Sequence, residues 1–234
     1  MKSVLISIRP WWCLLIAQGK KTVEVRKTIP KLKPPFKVYI YCTNTKPFLV
    51  WGDVFRGNWE TEFTNISGYS RERAEKIWDL FNGKVLGEFV CDHIFDVVED
   101  FNIHDELPGS PKESWLTWEN APDEYDSQEA IEKATCLSLD EISAYMGASD
   151  RCYCWHISKL QIYDDPKPLS EFVVEGDCDC LNCKKCTWFD KGNGFNVEDD
   201  CNLAYQNIHR KEPLKPLFRP PQSWCYVEEV SDGS

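Results

Sequence analysis

The chain has 234 residues, with 27 Lys+Arg against 38 Asp+Glu and a formal net charge of -11. That balance excludes a protein that coats DNA or RNA non-specifically, which needs a broad positive surface. With 42% apolar and 28% charged residues, the chain reads as one substantial globular domain, or one domain with a small appendage. The charge is partitioned, however. Residues 1–47 hold ten Lys/Arg and a single acid, Glu24, for a net of +9, while the other 187 residues hold 17 basic and 37 acidic groups, a net of -20.

In chain order, Val4-Leu5-Ile6-Ser7-Ile8 is a β-rich run, and Pro10 opens a helix that runs Trp11 to Gln18 and stops at Gly19. Thr22-Val23-Glu24-Val25-Arg26 alternates with period two. Val23 and Val25 are expected to face the core, and Thr22, Glu24 and Arg26 to share the opposite, outward face. After Pro30, Pro34 and Pro35, Val38–Cys42 reads as a buried strand. Residues 44–82 read as an insertion with a helical segment around Arg71 to Phe81. A strand follows over Val85–Cys91, open to continuation as far as Val98. Residues 99–135 are acidic and read as irregular. Ser138 with Glu141 forms a capping box, which starts a short helix ending near Gly147. Cys154–Tyr163 is strand-like, residues 176–201 are Cys-rich and too poor in apolar residues to build a core, and Trp224–Val227 reads as a closing strand. About six short strands and a few helices predict a mixed α/β (α+β) fold around a small closed or nearly closed sheet.

No stretch approaches the roughly 18 apolar residues of a membrane span. Arg9 and Pro10 interrupt the apolar start and no small-residue cleavage site follows, so no signal peptide is read and a cytoplasmic location is expected. In that setting twelve Cys are expected to be reduced thiols, some of them holding metal. Cys178, Cys180, Cys183 and Cys186 place four thiols within nine residues, with two overlapping C-x-x-C spacings beside Lys184 and Lys185. A structural zinc site is the first expectation. Cys201 is able to replace one of the four, because four thiols packed this closely strain a single tetrahedral ion. An iron–sulfur pattern and free thiols are the alternatives. Cys152, Cys154 and His156 fall on one strand face and read as core or cleft positions.

The most informative stretch is Gly19-Lys20-Lys21-Thr22-Val23-Glu24-Val25-Arg26. Lys20, Lys21, Arg26 and Lys27 are suited to neutralising phosphates, and Trp11, Trp12 and Trp155 to stacking on a splayed-out base. Glu24, a lone carboxylate among bases, is suited to reading an amino group. The plain alternatives are a solvated strand face for the charges and core packing for the tryptophans.

Together with Ser7-Ile8-Arg9-Pro10, Tyr39–Thr43, Gly83–Phe89 and Trp155–Ser158, this stretch resembles the ASCH domain family of the PUA-like β-barrel superfamily. It resembles the longer ASCH proteins of Gram-positive bacteria and their phages, which share the ending Pro220–Val227; the likeness touches residues 1–43, 83–98, 152–172 and 217–229. The resemblance implies a PUA-like barrel over residues 1–175, with insertions at about 44–82 and 99–150. A Cys-rich, zinc-binding segment at 176–215 and a closing strand and tail at 216–234 complete it. It also implies a bacterial or phage-encoded protein with a cleft for RNA or a modified nucleoside. The ligand-binding residues expected there are Arg9, Trp12, Lys20, Lys21, Thr22, Glu24, Arg26, Trp155 and His156. One ASCH branch is an amidohydrolase that deacetylates acetylcytidine. By that likeness Lys21 is a candidate catalytic base with Glu24 beside it, although Glu24 stands where that branch has its catalytic threonine. A third possibility is a protein-interaction module acting through the acidic insertions.

Overall fold

The computed structural model describes residues 2–44, 72, 76, 81–101, 114–174 and 215–229. Ser3–Ile8 forms strand β1, buried along its whole length. Pro10 then sits in the first turn of helix α1 (Pro10–Ala17), where its missing N–H costs nothing. This helix is apolar almost all round and is correspondingly buried through Trp11, Cys13, Leu14, Leu15 and Ile16. It ends at Gly19, whose φ of +68° is the left-handed conformation that glycine adopts without strain. The chain turns there into β2 (Val23–Arg26) and continues to β3 (Phe36–Cys42).

The next strands are β4 (Val85–Cys91), β5 (Ile94–Phe101) and β6 (Ser114–Glu119). A 3-10 turn at Asp123–Tyr125 precedes helices α2 (Gln128–Thr135) and α3 (Leu139–Met146). The capping box of α3 is present as expected: Glu141 N donates to Ser138 Oγ at 3.2 Å, and Ser138 N donates to Glu141 Oε2 at 2.8 Å. Helix α2 was missed within a stretch read as irregular. It is capped by Ser127, whose hydroxyl accepts from Ala130 N, and it ends at Cys136 with φ +56°. Strands β7 (Arg151–His156), β8 (Ser158–Lys167), β9 (Phe172–Val174), β10 (Lys215–Pro216) and β11 (Trp224–Glu229) complete the described elements.

These eleven strands, nearly twice the number expected, form two sheets. One is seven-stranded with the order β10-β9-β11-β1-β3-β4-β8, and the other four-stranded with the order β2-β7-β5-β6. Only the β1/β3 pair is parallel among the pairings found. The fold is mixed α+β and rich in sheet. Among the described residues no ladder closes the two sheets into the ring expected of a barrel, and no strand belongs to both.

The reason lies in one bent ribbon. Strand β4 runs into β5 across Asp92 and His93, and β7 runs into β8 across Ile157. The β4/β8 pair belongs to the large sheet, while the β5/β7 pair belongs to the small one. Sequence alternation detects the strand character of 85–98 and 154–163 but not this corner, where pairing passes from one sheet to the other. His156 N donates to His93 O at 3.0 Å at the bend. Close approach along the ribbon also depends on Gly87, where a Cβ would lie 2.3 Å from the Gln161 carbonyl oxygen.

Burial follows from this arrangement. Between α1 and the sheets lie Val4, Ile6, Ile8, Val38, Ile40, Phe89 and Trp155. Helices α2 and α3 cover the small sheet through Ile131, Ala134, Ile142 and Met146, which meet Val23, Val25, Phe95, Cys152 and Cys154. Leu5, Tyr39, Leu169 and Phe172 fill the other face of the large sheet. Both faces of β2 and β7 are therefore covered.

Candidate functional site

The alternation expected in β2 is observed, with Val23 and Val25 in the core beneath α2 and α3. The opposite face is also buried, which corrects the expected outward orientation of Glu24 and Arg26. Glu24 lies opposite Trp155 across the β2/β7 ladder, and Arg26 opposite Tyr153. Lys21, Glu24 and Arg26 are 2%, 7% and 7% exposed and form one network. The Glu24 carboxylate stands 3.5 Å from Lys21 Nζ and 3.1 Å from Arg26 Nη2. Lys21 Nζ donates to Thr135 O at 2.6 Å and lies 5.2 Å from the Trp12 ring centre. Arg26 Nη2 donates to Ser7 O at 2.7 Å, and Arg26 Nη1 reaches Ser223 Oγ at 3.5 Å. Arg26 Nε has no acceptor. Two cations share one carboxylate, so the network carries one buried positive charge in excess. Its partners come from β1 and α1, from α2 and from the segment before β11, and thus it ties together three distant parts of the chain.

Other expected residues are also dispersed. Arg9 is the exposed N-cap of α1. Trp12 is half-buried against the core. Trp155 is fully buried, edge-on to Phe36 at 5.8 Å, and offers no stacking face for a ligand. Cys152 and Cys154 are core thiols, pushed up to about 12 and above the ordinary range respectively, chiefly by desolvation. The zinc expectation on Cys178, Cys180, Cys183, Cys186 and Cys201 lies outside the described residues, as does nearly all of the insertion at 44–82. Among the described residues no His/Cys/Asp/Glu group is arranged to hold a metal ion, and no helix is long and apolar enough to cross a membrane.

Lys20, Thr22 and His156 do come together, in an open cleft of about 890 Å³. The turn at Gly19–Thr22 forms one wall. Helix α2 with its flanks forms another through Ser127, Ala130, Lys133 and Cys136, and the 3-10 turn contributes Glu124 and Tyr125. The turn is fixed to α2 by Thr22 N, which donates to Ala134 O at 2.9 Å, and to the ribbon corner by Ile157 N, which donates to Thr22 O at 2.9 Å. Lys20 and Lys133 are exposed cations at the rim.

The chemistry at the floor centres on His156. Its Nδ1 lies 2.7 Å from Asp92 Oδ1, and its Nε2 lies 3.9 Å from Glu124 Oε1. Burial alone raises the Asp92 carboxyl, but hydrogen bonds from His156 and Ser158 outweigh it and hold Asp92 below its usual range. Tyr125 stacks on Phe95 at 5.2 Å. Desolvation and the neighbouring Glu124 push its hydroxyl up to about 12, against a weaker opposing hydrogen bond from Thr22. The Cys136 thiol reaches Lys20 O at 3.5 Å and is raised by desolvation, although Lys21 and Lys20 pull it down. Tyr125, Glu124, Lys133, Cys136 and Asp92 were not anticipated. Asp92 and His156 are 64 residues apart and meet only through the bent ribbon, so no spacing betrays them.

Against known proteins, no family model and no curated protein matches the chain. Solved structures similar to it include the ASCH protein of Zymomonas mobilis, at 14% identity with a TM-score of 0.43, covering 97% of this chain and 87% of that one. Two mutant forms of the same protein align alike, at 15% and 14% identity with TM-scores of 0.43 and 0.42. They cover 97% and 98% of this chain, and 89% and 93% of the mutant chains.

Proposed function

We propose that the protein is an ASCH-type binder of RNA or of a modified nucleoside, and that the ligand enters the cleft between the Gly19–Thr22 turn and α2. The carrying observation is the cleft itself. Two exposed lysines from different elements, Lys20 and Lys133, stand at a cavity whose floor offers hydroxyl, imidazole and carboxylate groups. A cavity of about 890 Å³ is within the size range of small-ligand sites, and its mixture of rim cations and interior polar groups suits a phosphate joined to a base. The acidic remainder of the chain restricts attraction to this place, which favours one selected ligand over a long backbone.

The sequence motif supports the same reading by a less direct route. Lys21, Glu24 and Arg26 fix the turn from behind, so that Lys20 and Thr22 are held in place on the cleft side. Lys21 is buried against a carbonyl oxygen, a carboxylate and a ring face, and is not among the residues that line the cleft. For this reason binding, and not hydrolysis with Lys21 as base, is the reading adopted.

The test is fluorescence anisotropy of a labelled single-stranded RNA at several salt concentrations. Saturable binding that weakens with salt is expected. The double variant Lys20→Glu/Lys133→Glu should lose about tenfold or more of the affinity, as expected for two lost phosphate contacts. Affinity unchanged by the double reversal would overturn the cleft as the site.

A further inference from the structure

The floor of the cleft is more selective than its rim, and that selectivity has a direction. Asp92 can only accept at its distance of 2.7 Å from His156, so the imidazole Nδ1 carries the proton. In the neutral ring Nε2 is then a bare acceptor, turned toward Glu124 on the cleft side. The Glu124 carboxylate, 3.9 Å away, is a second acceptor. The side chains of His156 and Glu124 are 24% and 61% exposed, so both are reachable by a ligand.

Two acceptors side by side call for a ligand edge with two adjacent N–H donors. Guanine offers N1–H and the 2-amino group next to each other, and an acceptor, O6, beyond them. Uracil carries one ring N–H flanked by acceptors. Adenine and cytosine each pair a single amino group with a ring acceptor, which would confront a bare Nε2 or carboxylate oxygen. Lys20, Thr22 and Lys133, on the same cleft, supply donors for O6 and for phosphate.

We infer that the His156–Glu124 acceptor pair, oriented by Asp92, selects a guanine base from among the nucleotides the cleft admits. This rests on the nucleotide-binding reading given above. Asp92 is a positioning residue: it fixes which nitrogen of His156 is free. The groups that face His156 are Asp92 from the β4–β5 corner, and Glu124 and Tyr125 from the 3-10 turn. His93 at the same corner is engaged with Asn120 O at 2.7 Å. Lys20, Glu129, Lys133 and Cys136 are the remaining titratable groups of the cleft.

The experiment is calorimetric titration of the full chain with GMP, IMP and AMP. IMP lacks only the 2-amino group, so the GMP/IMP ratio isolates one donor and cancels the contribution of the phosphate. GMP should bind about tenfold or more tighter than IMP, the ratio expected for a hydrogen bond to a charged acceptor. Glu124→Ala, which removes the acceptor at an exposed position where folding is not at stake, should bring that ratio close to one. Binding of all three with equal affinity would overturn the guanine assignment and leave the nucleotide reading intact. Binding of none would overturn both, and a GMP/IMP ratio unmoved by Glu124→Ala would overturn the role of the acceptor pair.

Discussion

Residues 20–26 feed two polar clusters that could hardly differ more in environment. On one side Lys21, Glu24 and Arg26 are buried, mutually paired and hydrogen-bonded to three other parts of the chain. On the other, Lys20 and Thr22 open onto a cleft with His156, Glu124 and Lys133. The residue types are nearly the same, and burial separates their roles. A buried charge has to be satisfied by fixed partners, which makes it an anchor and leaves few donors or acceptors for a ligand. An exposed one stays within reach of whatever enters. The motif with the strongest sequence signal is thus the support, and its plainer neighbours do the contacting.

The largest effect expected from breaking this division is on the buried side. Glu24→Gln leaves Lys21 and Arg26 without their shared carboxylate, and should cost about 3–5 kcal/mol of stability, read as a fall in the urea midpoint. If it costs less than about 1 kcal/mol, as an exposed pair would, the trio is not the anchor described here. On the cleft side the order reverses. Lys20→Ala with Lys133→Ala should stay within about 0.5 kcal/mol of the parent in stability while weakening RNA binding and flattening its salt dependence.

The smallest effect concerns Asp92, whose carboxyl is held below its usual range by His156 and Ser158 despite the opposing pull of burial. A depressed carboxyl stabilises the fold above its unfolded-state value, and that contribution disappears as the pH falls through the folded-state value. The stability gap between the parent and Asp92→Asn should therefore be present near neutrality and close below a pH of about 4. A gap that widened on acidification would contradict the Asp92–His156 bond. The size of the gap will be modest, because Asp92 is largely exposed.

How far the sequence revealed this follows from what each signal reports. The helix from Pro10 to the Gly19 turn, the strand at 38–42 and the Ser138 capping box were legible because proline, glycine and capping residues act locally. The alternation in β2 was legible too, but alternation reports only that two faces differ. It does not report that α1, Ser7 and Ser223 close over the charged face. Helix α2 was hidden by its acidic, weakly apolar sequence, and its role as a cleft wall depends on Ile131 and Ala134 packing against β2 and β5. The bend at Asp92–His93 and Ile157 shows in the sequence only as a polar interruption of the apolar run, and such an interruption does not tell a turn within one sheet from a passage to a second. Everything placed by that bend, including the Asp92–His156 pair and Glu124 beside it, was out of reach of pattern reading.

The shared ribbon has a consequence for how the molecule comes apart. Since β4–β5 and β7–β8 each supply a strand to both sheets, neither sheet can be peeled away without dragging the other. The described strands should therefore open as a single cooperative unit, with the amides of β4 and β5 showing the same free energy of hydrogen exchange. A ligand seated beside His156 sits at the crossing point of that unit. It would slow exchange in both sheets at once, far beyond the residues it touches.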